Sequence, residues 1–143
     1  MGHSGANDVF KSLDHIAIVV HYIDAALGFY RDQLGFAVVV DEVIESGGVR
    51  LTHLDLGNIH LQLVQPMSED HPLQEHLREH GEGLHHLCLL VDSVAETIAD
   101  LPQQGLAARK LPPHDGPKGR AAAFLDPQTT RGVIWEITSE GEK

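Results

Sequence analysis

The chain has 143 residues, and its 21 acidic and 10 basic side chains give a formal net charge of −11. This excess of acidic groups argues against a nucleic-acid surface, because neutralising phosphates requires clustered Lys and Arg. The sequence has no apolar run long enough to cross a membrane, and its first residues lack the basic and apolar pattern of a signal peptide. The lone cysteine, Cys88, excludes an internal disulfide and fits a reducing compartment. We therefore expect a cytoplasmic protein that binds neither nucleic acid nor a membrane.

A histidine near the start of an apolar strand occurs twice in the sequence. His15 lies in the run 13–20, and His86 lies in the run 83–91. Each run is followed by a helical pattern and then by further β-branched runs. Internal repetition of this kind takes precedence over single elements when a fold class is assigned. The two copies indicate that the two histidines converge on one site.

Module one is predicted to span residues 13–66 and to follow a flexible leader, residues 1–12. Asp24 is the expected N-cap of its helix, and Gly35 is the expected left-handed residue at which the helix stops. Beta-branched runs separated by glycine-rich turns indicate the strands. The predicted elements are a strand over 13–20, a helix over 25–34, and strands over 36–44, 49–56 and 59–64. This order is β-α-β-β-β.

Module two, residues 83–138, is predicted to repeat this order between a polar linker, 67–82, and a tail, 139–143. Asp92 and Gly105 are the expected cap and stop of its helix. The predicted elements are a strand over 84–91, a helix ending at residue 104, and strands over 106–111, 120–125 and 132–138, with a Pro/Gly loop at 112–119. The predicted fold class is therefore α+β, with two repeated βαβββ modules in a single domain over 13–138.

Each module offers a histidine on its first strand and a polar residue in the middle of its last strand. These are His15 and Gln62 in module one, and His86 and Glu136 in module two. Burying a carboxylate or an amide among apolar neighbours is costly, and binding a cation lowers that cost. Two imidazoles, a carboxylate and an amide oxygen suit cobalt, manganese, nickel, iron or zinc. Strand alternation turns His85 away from the face of His86, so only one of this pair is expected to be a ligand.

Other polar side chains interrupt the predicted strands and loops. His53 and Asp55 lie in an otherwise apolar third strand, and His60 is a further candidate on the fourth. Lys118 and Arg120 flank the Pro/Gly loop, where they are candidates to hold a phosphate or carboxylate of a substrate, with a solvated loop as the alternative. Taken singly, the candidate ligands also fit hydrogen-bonded core positions. Histidines in polar segments are expected to be solvated, namely His3, His71, His76, His80 and His114.

Residues 13–138 resemble the vicinal oxygen chelate superfamily, which includes glyoxalase I, extradiol dioxygenases, bleomycin-resistance proteins and methylmalonyl-CoA epimerase. The matching motifs are Leu13-Asp14-His15-Ile16-Ala17, Leu56-Gly57-Asn58, Gln62-Leu63-Val64-Gln65-Pro66, Gly83-Leu84-His85-His86-Leu87-Cys88 and Gly132-Val133-Ile134-Trp135-Glu136. These motifs are most similar to the epimerase branch. The resemblance implies paired βαβββ modules that form a half-barrel around a divalent metal bound by His15, Gln62, His86 and Glu136.

The resemblance also implies a reaction. In the epimerase branch, the proton α to a thioester is removed, the metal holds the enolate oxygens, and a proton returns on the other face. We therefore expect a metal-dependent epimerase of a short branched acyl-CoA, with methylmalonyl-CoA preferred. A glyoxalase I-like lactoylglutathione lyase and a metal-free small-ligand binding protein are the alternatives. An extradiol dioxygenase is disfavoured, because four ligands exceed the 2-His-1-carboxylate set that leaves positions open for oxygen.

The third strand departs from the pattern of the epimerase branch. Some members carry a glutamate there as one acid/base, whereas this chain has no carboxylate in that strand before Asp55. We therefore assign the general base to Glu136 and the opposite acid/base to His53, since an ordinary imidazole titrates close to working pH. A homodimer is expected, because paired modules leave sheet edges and apolar helix faces exposed.

Overall fold

The computed structural model describes residues 8–109 and 112–140 of the chain, which fall into two units. The first unit is residues 15–86, and the second combines residues 8–14 with those that follow residue 86. Helices and strands occur in both units. The α+β class predicted from the sequence is therefore confirmed.

The first unit contains one βαβββ set followed by a helix. Its elements are β1 (Ser12–Val19, with residues 15–19 in this unit), α1 (Ile23–Leu27), β2 (Ala37–Ile44), β3 (Val49–Asp55), β4 (His60–Pro66) and α2 (Pro72–His80). Its strands lie in the order β2-β3-β4-β1. Strand β1 is parallel to β4, and the other neighbours are antiparallel.

The second unit repeats this arrangement. Its elements are β5 (Gly83–Leu90, with residues 87–90 in this unit), α3 (Val94–Asp100), β6 (His114–Asp115), β7 (Ala121–Phe124) and β8 (Trp135–Thr138). Its strands lie in the order β5-β8-β7-β6. Strand β5 is parallel to β8, and the other neighbours are antiparallel. Since both units share one order and one pairing pattern, the predicted βαβββ duplication is confirmed.

In the first unit, the alternation of the strands places the candidate polar residues on the face opposite the cluster around α1. Leu27 of α1 packs in one buried cluster with Leu54 of β3 and Leu63 of β4. Burying each such side chain contributes about 1.5–3 kcal/mol. His53 and Gln62 directly precede these two leucines in their strands, so their side chains point to the opposite face of the sheet. The apolar contacts with α1 thus determine which face carries the polar residues.

The second unit sorts its side chains in the same way. Ile137 of β8 packs in a buried cluster with Val94 of α3 and with Leu101, which follows that helix. Glu136 directly precedes Ile137 and therefore points away from this cluster. Cys88 of β5 is the register partner of Glu136 on the neighbouring strand. Both residues are buried, with Cys88 at 0% and Glu136 at 6% exposure.

The predicted N-caps of the two repeated helices are wrong by one or two residues. Tyr22 occupies the N-cap of α1 without a side-chain bond, and Asp24 lies inside the first turn. The hydroxyl of Ser93 caps α3 by accepting a hydrogen bond from the amide of Glu96 at 3.1 Å. Asp92 is the residue before that cap. An N-cap residue has an extended backbone, and its side-chain oxygen accepts from the amide of the third helical residue. Ser93 has both properties.

Both helices change form before they end at the predicted glycines. A π-helical segment, Gly28–Gln33, continues α1, and a 3-10 turn, Leu101–Gln104, continues α3. Gly35 and Gly105 follow with φ values of 85° and 75°, in the left-handed region. Residues with a Cβ atom rarely adopt this conformation, so glycine suits both stops.

The segment before β7 differs from the prediction. The predicted strand over 106–111 is reduced to an isolated bridge between Ala108 and Leu125, and residues 110 and 111 lie outside the described part of the chain. The predicted loop over 112–119 instead contains β6, which pairs His114 with Ala122. Two-residue strands carry too short a pattern to be recognised from periodicity.

The segments outside the predicted modules also form contacts. Val9 and Phe10, in the predicted leader, pack against the core of the second unit, whereas residues 1–7 lie outside the described part of the chain. The predicted linker contains α2, which buries Leu77. Ser139, in the predicted tail, is fully buried, and residues 141–143 are not described. Within the described residues, none of the helices has both the length and the apolar character needed to cross a bilayer.

Candidate functional site

Two buried histidines of the first unit face each other. His15 on β1 is 4% exposed and His86 on β5 is 8% exposed. Their ring centroids lie 5.7 Å apart, and each offers a ring nitrogen within 4.8 Å of the other. The Nε2 atoms of both rings are buried. Because zinc–nitrogen bonds are about 2.0–2.1 Å long, one cation can bind both rings after a small side-chain movement.

Gln62, the third predicted ligand, lies in the middle of β4 and is 4% exposed. It is the register partner of Ala17 on β1 and of His53 on β3. Its Nε2 atom lies 2.9 Å from Nε2 of His53. With its amide nitrogen turned toward His53, Gln62 directs its oxygen away from that ring. Only this oxygen has the lone pairs that a cation requires.

His53, the predicted second acid/base, lies among polar side chains of the first unit and is 3% exposed. Its Nδ1 atom is 3.0 Å from Nδ1 of His60, while its Nε2 atom faces Gln62. Its ring centroid lies 5.3 Å from that of His15. Both ring nitrogens of His53 thus take part in hydrogen bonds within the protein.

Glu136, the fourth predicted ligand, belongs to the second unit. Its Oε2 atom lies 2.7 Å from Nε2 of His114, whose ring stacks on Phe124 at 5.1 Å. Burial raises the pKa of the Cys88 thiol well above its usual value, and the negative charge of Glu136 raises it further. Cys88 is therefore a protonated, packed residue beside the Glu136 carboxylate, in agreement with its position in an apolar strand.

Gln62 and Glu136 occupy equivalent positions in the two units. Gln62 lies opposite Ala17 on the parallel strand β1, two residues after His15. Glu136 lies opposite Cys88 on the parallel strand β5, two residues after His86. In both parallel strand pairs, therefore, the register partner of the polar residue lies two residues after a histidine. The register of β1 with β4 therefore matches that of β5 with β8, as the repeat in the sequence indicates.

Arg120, beside the Pro/Gly loop, is held within the second unit. Arg120 donates to the Asp14 carboxylate at 3.2 Å and to the Ser139 carbonyl at 3.4 Å. Lys118 lies in a short 3-10 turn and has a φ of 60°. The predicted contact of Lys118 and Arg120 with a substrate anion stays a prediction.

Asp55, the acidic candidate on β3, is exposed, and its carboxylate accepts from the amide of Gly57 at 2.7 Å.

Two residues contact the candidate ligands although the sequence does not predict it. His114 is predicted to be solvated, but its ring contacts the Glu136 carboxylate. The two residues lie on β6 and β8, and both of these strands pair with β7. The two residues are far apart in the chain, and no local pattern relates them. His85 was expected to point away from His86, yet its Nδ1 atom lies 2.8 Å from Nδ1 of His86. The backbone alternation is as predicted, because His86 is buried and His85 is only half-buried.

Known proteins are similar to this chain in both sequence and fold. Residues 14–124 match the Glyoxalase/Bleomycin resistance protein/Dioxygenase superfamily. The uncharacterized protein YqjC of Bacillus subtilis is 34% identical over 87% of this chain and 89% of its own length. The mitochondrial methylmalonyl-CoA epimerase of Mus musculus is 30% identical over 87% of this chain and 71% of its own length.

A solved structure extends this similarity to three dimensions. It is a Streptomyces coelicolor methylmalonyl-CoA epimerase variant in complex with 2-nitronate-propionyl-CoA. It is 33% identical to this chain, with a TM-score of 0.83, and the match covers 93% of this chain and 99% of that one. With a family match over most of its length and relatives at this identity, the chain belongs to the Glyoxalase/Bleomycin resistance protein/Dioxygenase superfamily.

Proposed function

We propose that the protein is a metal-dependent epimerase of a short branched acyl-CoA, with methylmalonyl-CoA as the preferred substrate. Two of the proteins described above are methylmalonyl-CoA epimerases by name, and one of them is solved with an acyl-CoA ligand. The observation that carries the proposal is the pair of buried imidazoles of His15 and His86, with ring nitrogens within 4.8 Å of each other. Two buried imidazoles placed in this way are suited to bind one cation.

The residues fit a divalent cation of the kind expected from the sequence. His15 and His86 supply buried Nε2 atoms, and the amide orientation of Gln62 leaves its oxygen to bind a cation. Neutral imidazoles, an amide oxygen and one carboxylate are the donors that cobalt, manganese, nickel, iron and zinc accept in proteins. The general order of affinities of divalent metals does not by itself identify which of these metals binds.

Glu136 is the proposed fourth ligand. Its support is the register equivalence with Gln62, because each lies opposite the residue two positions after a candidate histidine ligand. Its burial gives a second argument. A carboxylate at 6% exposure is expensive to keep charged unless a cation or strong hydrogen bonds compensate it.

Glu136 is also the proposed general base. A divalent cation, when bound, supplies Lewis-acid polarisation of the thioester carbonyl. A Glu136 oxygen then takes the α-proton, the C–H bond breaks, and its electron pair moves into the thioester carbonyl. Each carboxylate oxygen has two lone pairs, so the bond from His114 to Oε2 does not prevent this transfer. A proton returned on the opposite face inverts the centre.

His53 is the proposed acid/base on the opposite face. The buried residues of β3, a strand described over its full length, are Leu51, Thr52, His53 and Leu54, and none of them is a carboxylate. The assignment of this role to His53 therefore stays a prediction. A glyoxalase I-like lyase is the second candidate function, because the missing strand-three glutamate counts against an epimerase with two carboxylate bases.

Proton NMR in deuterated water tests the proposed reaction. Metal-loaded protein is incubated with methylmalonyl-CoA, and the α-proton signal is followed against a metal-stripped control. Metal-dependent loss of the signal supports the epimerase. No exchange with methylmalonyl-CoA, together with turnover of a glutathione hemithioacetal to lactoylglutathione, would replace it with the lyase. No reaction with either substrate, with tight binding of a small apolar ligand, would support the metal-free binding protein.

A further inference from the structure

Three histidines outside the proposed ligand set each contact one proposed ligand through a ring nitrogen. The pairs are His53 with Gln62 at 2.9 Å, His85 with His86 at 2.8 Å, and His114 with Glu136 at 2.7 Å. We propose that His53, His85 and His114, here called the outer histidines, are positioning residues that fix which atom of each ligand faces the cation. This inference rests on the proposed metal site.

The contact of His53 with Gln62 determines a chain of hydrogen-bond directions. A cation binds the amide oxygen of Gln62, so its NH₂ group must donate to an acceptor, and the atom within reach is Nε2 of His53. His53 then carries its proton on Nδ1 and donates it to Nδ1 of His60, 3.0 Å away. Without this acceptor, the Gln62 amide has no reason to prefer the orientation that turns its oxygen toward a cation.

The contact of His85 with His86 follows the same logic. The Nε2 atom of His86 is buried, and its Nδ1 atom lies 2.8 Å from Nδ1 of His85. An imidazole that binds a cation through Nε2 carries its proton on Nδ1, so His86 must be the donor in this pair. His85 must then be the acceptor and hold its own proton on Nε2. Partners of this kind fix the tautomer and the ring orientation of metal-binding histidines.

The contact of His114 with Glu136 holds a carboxylate in the second unit. Nε2 of His114 donates to Oε2 of Glu136, so that oxygen is oriented by the protein. The ring of His114 is itself held, because it stacks on Phe124 at 5.1 Å, and the Arg109 guanidinium covers that phenyl ring at 4.9 Å. The position of His114 is thus set by contacts that are independent of Glu136.

Metal affinity is the first test, with Zn²⁺ alone as the probe and a coloured chelator as competitor. Wild type and His86→Ala are measured first to establish the site. His53→Phe and His85→Phe keep a ring of similar size without its nitrogens, and each is expected to weaken Zn²⁺ binding about 10–100-fold. His80→Phe, at an exposed histidine, is the matched control and should bind as wild type does. His53→Gln restores an acceptor and should recover most of the lost affinity.

The tautomers provide a second test that needs no variant. Imidazole ¹⁵N shifts of Zn²⁺-loaded wild type should place the proton on Nδ1 of His53, on Nε2 of His85 and on Nε2 of His114. The opposite tautomer at His53 or His85 would overturn the inference. Unchanged affinity in His53→Phe and His85→Phe, with loss in His86→Ala, would overturn it while leaving the metal site in place. If the wild type binds no Zn²⁺, or if His86→Ala binds it normally, both the positioning role and the proposed metal site are overturned.

Discussion

The imidazoles of His15 and His86 meet nearly at right angles, with an interplanar angle of 74° and centroids 5.7 Å apart. Both rings are buried in the first unit. A ring nitrogen of each histidine lies within 4.8 Å of one of the other, which is close enough for both to reach one cation.

We therefore predict about one divalent ion per chain, held by His15 and His86 among its ligands. His15→Ala and His86→Ala should each lower metal affinity by more than about 100-fold, since loss of a partner residue alone costs about 10–100-fold. Elemental analysis of stripped and reconstituted protein gives the stoichiometry, and chelator competition gives the affinity. His80→Ala is the control. A His86→Ala variant with wild-type affinity would exclude His86 as a ligand.

Glu136→Gln should abolish α-proton exchange even after the metal is restored. The amide keeps an oxygen that can bind a cation, but it cannot accept the α-proton, and a general base contributes about 10²–10⁴-fold to a rate. The measurement is deuterium incorporation at saturating metal, with the metal content checked in the same sample. Glu75→Gln, which changes an exposed carboxylate of α2, is the matched control. Exchange at the wild-type rate in Glu136→Gln would place the base elsewhere.

His53→Gln, assayed at saturating metal, separates positioning from proton transfer. His53 is the predicted acid/base of the opposite face, and glutamine can replace its hydrogen bonds to Gln62 and His60 but cannot transfer a proton, so we expect the variant to keep exchange and to racemise substrate slowly. Polarimetry or chiral analysis follows racemisation while NMR follows exchange. Racemisation within a few-fold of the wild-type rate would instead leave His53 with a positioning role alone.

The ion pair between Asp41 and Arg50 should make stability depend on pH. Nε and NH2 of Arg50 donate to the two carboxylate oxygens of Asp41 at 2.9 and 2.8 Å, and this hydrogen bonding lowers the pKa of Asp41. A lowered pKa contributes stability above the unfolded-state pKa, and this stability is lost as the pH falls through the folded-state pKa. Asp41→Asn should therefore cost about 0.5–1 kcal/mol at pH 7 and less at pH 3.

Urea unfolding at the two pH values measures this difference. Glu69→Gln removes an exposed carboxylate from the turn before α2 and serves as the control. Equal losses in Asp41→Asn at pH 7 and pH 3 would mean that the pair acts through packing and not through charge.

A homodimer is predicted at micromolar concentration. Strand β2 lies at the end of the strand order in the first unit, and it exposes Val39 and Val43 at 46% and 48%. Exposed strand edges and apolar side chains favour association with a second copy. Sedimentation velocity gives the mass of wild type and of Val43→Lys, which should shift toward the monomer if β2 forms the interface. A monomeric wild type would contradict the prediction.

The order of elements follows from the local sequence. Beta-branched runs and glycine stops predict the βαβββ order, although not the position of β6, because alternation and the left-handed conformation of Gly35 and Gly105 are properties of short segments. The repeat also identifies His15 and His86 as equivalent residues. These are features that a few neighbouring residues determine by themselves.

The hydrogen bonds around the candidate ligands depend on which strands are neighbours and on their register. His53 faces Gln62 because β3 pairs with β4 in one particular register, and His114 reaches Glu136 because β6 and β8 flank β7. The one-residue displacement of the α3 cap from Asp92 to Ser93 likewise depends on where the backbone leaves the extended conformation. Contacts of this kind join residues that are distant in the chain, and only the folded sheet brings them within hydrogen-bonding distance.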